Sequence, residues 1–385
     1  MDEEACMFQS RMRRPVVAFV ALIILSAGLM AQTGSNDGNV YGRAVDDQGN
    51  GLPGATATLL GTNAPQSTVS DSQGNFRFLN VAPGRYTAVV SLPGFTKVTQ
   101  ENVVVTLGRN TEFRVELRLS TVQEAVTVSS ETPLIDTRKT ETGATFSNAE
   151  LQQIPTARDV WVMMQQVPGV LVDRVNVAGN QSASQADFVG KGSYQSTYVY
   201  DGVNVTDNGA NGFSSTYFDF DSFQEVQIAT GGSDLTLNTA GVAINMVTKR
   251  GTNDVKGSAR FFYAPNQWQS KNTPDEVAAL GSGLSTSFNS NRTRFIREEG
   301  LEAGGPILRD RAWLWVGASR QDVNLNVLGQ SDVAGNPLHN DSTLETWNGK
   351  LNVQATGSDA VTVLYNRNEK LVNGRSAGAE RPQET

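Results

Sequence analysis

The sequence predicts a mostly β protein built from successive modules: a β sandwich, a small α/β module, and the first strands of an antiparallel transmembrane β-barrel. Three observations predict it. The chain holds 37 Gly among 385 residues, with 8% aromatic and only 38% hydrophobic residues. That composition suits turn-rich β structure better than helical bundles. Segments such as "FRVELRL" (Phe113–Leu119) alternate apolar and polar residues without a break, which is the period of a half-buried strand. Beyond Val255 the connections between strand-like segments alternate between long and short, as they do in membrane barrels.

Composition also excludes function classes. The net charge is −8, with no Lys/Arg run beyond the N-terminus. Nucleic acid is therefore not an expected partner, because neutralising phosphates needs a basic patch. One Cys (Cys6) and one His (His339) rule out an internal disulfide framework and a Cys/His zinc site.

The N-terminus reads as a signal peptide over residues 1–31. "RMRRP" (Arg11–Pro15) is a basic leader, "VVAFVALIILSAGLM" (Val16–Met30) an apolar run, and "MAQ" offers cleavage after Ala31. The apolar run is shorter than the roughly 20 residues of a spanning helix. An uncleaved anchor is the alternative reading. The acidic opening "MDEEACMFQS" is unusual before such a leader, so translation could begin at Met1, Met7 or Met12. No Cys follows the apolar run, which argues against a lipoprotein. Cleavage would leave a mature chain without cysteine.

Residues 38–119 read as the sandwich. In Phe113–Leu119, Phe113, Val115, Leu117 and Leu119 share the inward face. "NVVVTL" (Asn102–Leu107) and "RYTAVVSL" (Arg85–Leu92) are further strands. Turn signals punctuate them: "DDQGNGLPG" (Asp46–Gly54), "DSQGN" (Asp71–Asn75), "APGR" (Ala82–Arg85) and "LPGF" (Leu92–Phe95). The module has no His, no Cys and no cluster of metal-ligand type. A hydrolase would need such ligands or a nucleophile with its base, so neither catalysis nor a cofactor is expected.

Residues 133–250 mix helix and strand. "SNAELQQIP" (Ser147–Pro155) opens with a capping box, in which Ser147 caps and Glu150 reaches back. "TARDVWVMMQQVPGV" (Thr156–Val170) predicts a second helix with Thr156 as cap and Asp159 at its third position. Val160, Met163, Met164 and Val167 fall on one face, and Pro168–Gly169 ends it. Asp201–Gly202 predicts a hairpin turn within "STYVYDGVNVTDN" (Ser196–Asn208). "FQEVQIATGG" (Phe223–Gly232) and "GVAINMVTKRGTN" (Gly241–Asn253) complete a small mixed sheet. Asp201, Asn204 and Asp207 lack EF-hand spacing and its terminal Glu, and turn chemistry accounts for them.

Residues 255–385 read as membrane-spanning strands of about ten residues each. "VKGSARFFYA" (Val255–Ala264) places Val255, Gly257, Ala259, Phe261 and Tyr263 on one face. "RTRFIREEGLEAGG" (Arg292–Gly305), "AWLWVGASRQ" (Ala312–Gln321), "LETWNGKLNVQA" (Leu344–Ala355) and "AVTVLYNRNEK" (Ala360–Lys370) follow. Long connections (about 265–291 and 322–343) alternate with short ones (Pro306–Arg311 and Thr356–Asp359). A soluble sandwich would explain the alternation within strands but not the alternation of the connections.

Two resemblances stand on these residues. "VYGRAVDDQGNGLPGATATL" with "DSQGNFRFLNVAPGRYTAVVSLPGF" resembles the carboxypeptidase-regulatory-like domain, which implies a transthyretin-like β-sandwich without catalysis. "LQQIPTARDVWVMMQQVPGV", "YVYDGVNVTDNG", "FQEVQIATGG" and "AGVAINMVTKRGTNDVKGSARFFY" resemble the plug domain of TonB-dependent outer-membrane transporters. The Oar-like receptors, which place a carboxypeptidase-regulatory-like domain before the plug, are the subgroup that fits. One departure is "DLTLNTAG" (Asp234–Gly241), where many members carry an acidic "AEYG"-like patch. The resemblance implies a receptor in the Gram-negative cell outer membrane, exported by the Sec route, with the sandwich in the periplasm. It would take up a scarce, sizeable nutrient without covalent chemistry. Its partners would be TonB, outer-membrane lipid and an extracellular ligand that the sequence does not name. Plugged transporters use about 22 strands, and an open sheet edge in lipid is costly. The five strands here therefore read as the start of an incomplete barrel in a longer chain. The alternative is a secreted or surface-attached structural or adhesive β protein. Partition into detergent-extracted outer membrane discriminates the two.

Between sandwich and plug lies a Ser/Thr-rich tether, residues 120–132, carrying "EAVTV". A lone strand is barely stable in water, so its retention asks for a partner. The resemblance places a TonB box here, formed by Glu124, Ala125, Val126, Thr127 and Val128 and captured by strand addition. The other reading makes Val122, Val126 and Val128 the last strand of the sandwich. Both readings remain open on the sequence.

Overall fold

Turn chemistry shapes the first module, and one turn is built twice. The computed structural model describes residues 36–61, 64–119, 125–128, 142–154, 158–172, 188–189, 195–207, 209, 212–232, 241–269, 293–331, 337–356 and 360–374. In "DDQGN" the Asp46 carboxylate accepts from the Gln48 and Asn50 N–H groups. In "DSQGN" Asp71 accepts from Gln73 and Asn75 in the same way. Gly49 and Gly74 supply the left-handed residue, at φ 87° and 80°. A Cβ on Gly74 would also meet the Ala44 carbonyl at 2.3 Å, so both conformation and space demand glycine there. These hydrogen bonds hold both carboxyls below the usual carboxylate range, the Asn50 side chain leading for Asp46 and the Asn75 N–H for Asp71.

Such turns join β1 (Gly38–Val45), β2 (Thr56–Leu60), β3 (Gln66–Val69), β4 (Asn75–Val81), β5 (Gly84–Ser91), β6 (Lys97–Val105) and β7 (Asn110–Glu116). One sheet has the order β4-β1-β7 and packs against β3-β2-β5-β6. The core between them takes Val40, Phe76, Phe78 and Val115 from the first sheet, and Leu59, Val90, Val98 and Val103 from the second. Leu117 is fully buried, as its alternation predicts. Leu119 departs from that pattern: it is 81% exposed, beyond the end of β7, in an isolated bridge with Phe95. The edge of the second sheet is completed by β8 (Ala125–Val128), parallel to β6 with Val98 opposite Val126. Thr127 is exposed and Val128 leans on the sandwich core. Glu124 lies outside the described residues.

The second module opens with β9 (Thr142–Ser147), a strand the sequence pattern did not reveal. α1 (Asn148–Gln153) follows with the predicted capping box of Ser147 and Glu150. α2 (Val160–Met163) is shorter than its apolar period predicts. Asp159, expected at the third position, is itself the cap and accepts from the Trp161 N–H, and the chain tightens to a 3₁₀ turn over Met164–Gln166. Val160, Met163, Met164 and Val167 are buried as expected, and so are Trp161 and Val162, so the helix is enclosed on every side. The expected Thr156 cap lies outside the described residues.

β10 (Leu171–Val172) and β11 (Phe188–Val189) form a small pair. β12 (Thr197–Tyr200), β13 (Val203–Asn204), β14 (Phe223–Gly231) and β15 (Ala243–Thr248) join β9 in a mixed sheet of order β13-β12-β15-β14-β9. Tyr200 pairs with Val203 across Asp201–Gly202, both with positive φ (47° and 83°). This is the expected two-residue hairpin. Asn204 and Asp207 accept from the Thr206 and Gly209 N–H groups, which is the expected turn chemistry.

The third module is a single antiparallel sheet in chain order: β16 (Lys256–Pro265), β17 (Thr293–Leu308), β18 (Ala312–Ser331), β19 (Pro337–Gln354) and β20 (Ala360–Asn373). β16 has the expected ten residues, and the other four strands are longer, reaching 20 in β18. Much of 322–343, expected as a long connection, is strand, with Asn324 opposite Asp341. Ladder hydrogen bonds hold this polar stretch extended despite its composition. The expected long connection at 265–291 falls mostly outside the described residues.

Candidate functional site between the mixed module, the long sheet and the edge strand

Strand alternation sorts the long sheet into two faces. One face carries Phe261, Tyr263, Leu301, Leu314, Val316, Trp347, Val363 and Tyr365, all exposed. A contiguous apolar face of this kind is expected where lipid replaces water. Arg297, Glu299, Arg320, Asp322, Glu345, Arg367 and Glu369 continue that face toward the far strand ends, linked by ion pairs such as Arg320–Glu345 at 2.9 Å. The other face carries Ser258, Arg260, Glu298, Glu302, Asn348, Lys350 and Asn366, and it meets the mixed module.

That meeting is polar. The Arg260 guanidinium lies 2.6 Å from Asp221 and 3.3 Å from Glu298, and it also pairs with Asp219. Arg158 pairs with Asp221 and reaches Glu298 at 3.4 Å. Its guanidinium stacks 4.3 Å from the centroid of Phe262. Arg158 has φ 54°, a conformation that costs an L-residue about 1–2 kcal/mol, and these contacts hold it there. Burial pushes the Asp219 carboxyl up against the pull of Arg260. Burial acts the same way on Asp221, but Arg260 and Arg158 together outweigh it and hold that carboxyl below the usual range.

Three further anchors flank the cluster. Lys350 is 3% exposed and gives its Nζ to Asp201 at 2.6 Å and to the Thr248 carbonyl at 3.2 Å. Lys249 and Ser258 both donate to Glu302, at 2.6 and 2.8 Å. Asn366 donates to the Tyr200 hydroxyl at 3.1 Å and to Asn348 at 2.6 Å. The apolar mass of the mixed module packs mainly on itself, with Trp161, Tyr198, Phe218 and Phe223 at its centre, and Leu364 of β20 leans against it. Contacts of this composition can exchange for water at smaller cost than an apolar core, because each group regains hydrogen bonds on separation.

The family model described as the carboxypeptidase regulatory-like domain matches residues 39–118, and the TonB-dependent receptor plug domain matches residues 136–243. The TonB-dependent transporter Oar of Myxococcus xanthus is 26% identical over 312 residues. The chain carries a TonB-dependent receptor plug domain behind a carboxypeptidase regulatory-like domain. The alignment covers 77% of this chain and 28% of Oar, so the chain spans only about 28% of that relative's length. Among solved structures, the siderophore receptor PirA from Acinetobacter baumannii is 17% identical over 60% of this chain and 32% of its own, with TM-score 0.44. The outer membrane transporter YddB from Escherichia coli is 14% identical over 59% and 33%, with TM-score 0.46. The mixed module is the plug domain, and the long sheet, apolar on one face and polar on the other, has the pattern of a barrel wall.

The wall gives a direct test of its faces. In the full-length receptor, Ala259→Arg points to lipid and is expected to cost about 2–4 kcal/mol at the bilayer midplane. Ser258→Arg points to the plug side and is expected to cost less. Folding yields in lipid vesicles check this, and equal yields would reverse the assignment of faces.

Sequence reasoning named the edge strand, whose Ala125–Val128 the structure places beside β6. It did not name Arg158, Asp219, Asp221, Arg260, Glu298 or Lys350. The available signal was Arg260 amid "SARFFY", a charge inside an otherwise apolar strand.

Proposed function

We propose that this receptor is a TonB-energised transporter that takes up a scarce, sizeable nutrient through the Gram-negative outer membrane, with the plug closing the path at rest. The observation that carries the reading is the ion-paired, hydrogen-bonded contact of the plug with a wall whose opposite face is apolar. A closure held by polar groups can be displaced by pulling, because water takes over its hydrogen bonds. Residues 120–132 form the tether, and Glu124, Ala125, Val126, Thr127 and Val128 form the TonB box. An edge strand of four residues suits exchange from one sheet to another. The sandwich lies in the periplasm, together with the short turn at Arg309–Arg311. Outer-membrane lipid meets the apolar face, and the ligand enters from outside.

The test is binding of the purified periplasmic domain of TonB to the membrane-extracted full-length receptor. Binding that is lost on deleting residues 124–128 supports the reading, and binding that survives the deletion removes the box assignment. Export is tested separately. The mature chain is expected to begin at Gln32, and N-terminal sequencing of outer-membrane extract checks it. Retention of Val16–Met30 would overturn cleavage.

A further inference from the structure

The seam between sandwich and plug holds a buried carboxyl. Glu225, on β14, is 5% exposed and accepts a hydrogen bond from the Leu107 N–H at 2.6 Å. Leu107 is fully buried in the turn between β6 and β7, so the bond joins the two modules. Two charged groups face the carboxyl. Glu150 on α1, tied back to Ser147 by its capping bond, opposes its ionisation, whereas Arg109 of the sandwich turn favours it. The cross-strand neighbours Ser147 on β9 and Val247 on β15 are neutral. A second contact crosses the seam, Arg250 to Asp37 at 3.7 Å.

We propose that Glu225 is a proton-operated latch, which holds the sandwich against the plug when protonated and lets it lift away when ionised. The inference concerns docking alone and stands whether or not β8 is the TonB contact. Burial pushes the Glu225 carboxyl up to about 7; the Leu107 N–H and Arg109 oppose this, and Glu150 adds to it. Once the sandwich lifts, the carboxyl meets water and returns toward about 4.3. Docking therefore takes up a proton. It is strongest in acid and is lost as pH rises through the docked value, with the docking constant falling about tenfold from pH 6 to pH 8. Asp37 is likewise raised by burial against the pull of Arg250, so the comparison with a Glu225 variant isolates the share of Glu225.

The experiment is amide hydrogen exchange at Leu107 in the full-length receptor in detergent micelles, corrected for intrinsic exchange at each pH. In the wild type, protection is expected to fall about tenfold between pH 6 and pH 8. Glu225→Gln keeps an acceptor for the Leu107 N–H without a charge, and it should retain at pH 8 the protection it shows at pH 6. Glu150→Gln preserves the capping box and leaves Glu225 in place. It should move the midpoint of the loss to lower pH. A flat wild-type profile, or the same slope in wild type and Glu225→Gln, overturns the latch. Should Glu225→Gln fail to fold, Glu150→Gln decides: a lowered midpoint supports the latch, and an unmoved one overturns it.

Discussion

Replacing Arg260 by alanine is expected to loosen the plug from the wall by about 3–5 kcal/mol, the usual cost of removing one partner from a buried ion pair. The reason lies in what stays behind. Asp219, Asp221 and Glu298 all lean on that guanidinium. With Arg260 gone, Arg158 still pairs with Asp221 and Glu298, while Asp219 loses its guanidinium. That carboxyl can recover only by binding a proton, so the loss should be larger at pH 8 than at pH 5. Arg260→Lys keeps the charge but forfeits the planar fork that serves several carboxylates at once, and an intermediate loss is expected. Urea titration of the full-length receptor, followed by fluorescence of the plug's Trp161, checks both variants. An Arg260→Ala midpoint equal to wild type at pH 8 would remove the cluster as the plug's anchor.

Replacing Val126 by proline is expected to abolish uptake while the sandwich stays folded. Proline removes one N–H and fixes φ, so a ladder through residue 126 cannot form with a new partner. The sandwich should lose little. Val126 sits in a four-residue edge strand opposite Val98, and the fully buried core residues of the sandwich lie between Val40 and Leu117. One edge hydrogen bond is worth about 0.5–1.5 kcal/mol. Thr137→Pro, farther along the chain, should leave uptake intact. Uptake is read with whole cells supplied with the native ligand, and sandwich folding by thermal melting of the same protein. Unimpaired uptake in Val126→Pro removes the box. A sandwich melt lowered far beyond one hydrogen bond assigns the strand a purely structural role.

The sequence spoke clearly wherever the determining interactions are local. The capping box of Ser147 and Glu150, the Asp201–Gly202 hairpin and the paired "QGN" turns are each decided within five residues, and each appears in the structure as read. Alternation located β5, β6 and β7 because one face of each is buried against the other sheet. Legibility failed where a distant partner decides. Residues 322–331 and 337–343 look like loop by composition, yet neighbouring strands supply the hydrogen bonds that extend them. The parallel pairing of β8 with β6 has no turn to announce it. The charge cluster was invisible because Arg158 and Glu298 are 140 residues apart, and nothing in either segment names the other. Helix α2 was overextended because an apolar period tells which face is buried, not where backbone hydrogen bonds stop.

The length of β18 sets how far the long sheet reaches beyond an apolar band. Twenty residues at about 3.3 Å each make a ribbon roughly 66 Å long, which stands about 47 Å tall at the 45° tilt of a spanning strand. The apolar band of such barrels needs only about 25 Å of that height. The remainder, which bears Arg297, Arg320, Glu345 and Glu369 on its outer side, forms a stiff collar in water. The strand ends stand roughly 20 Å clear of the apolar band, held extended by the ladder and not by any packed core.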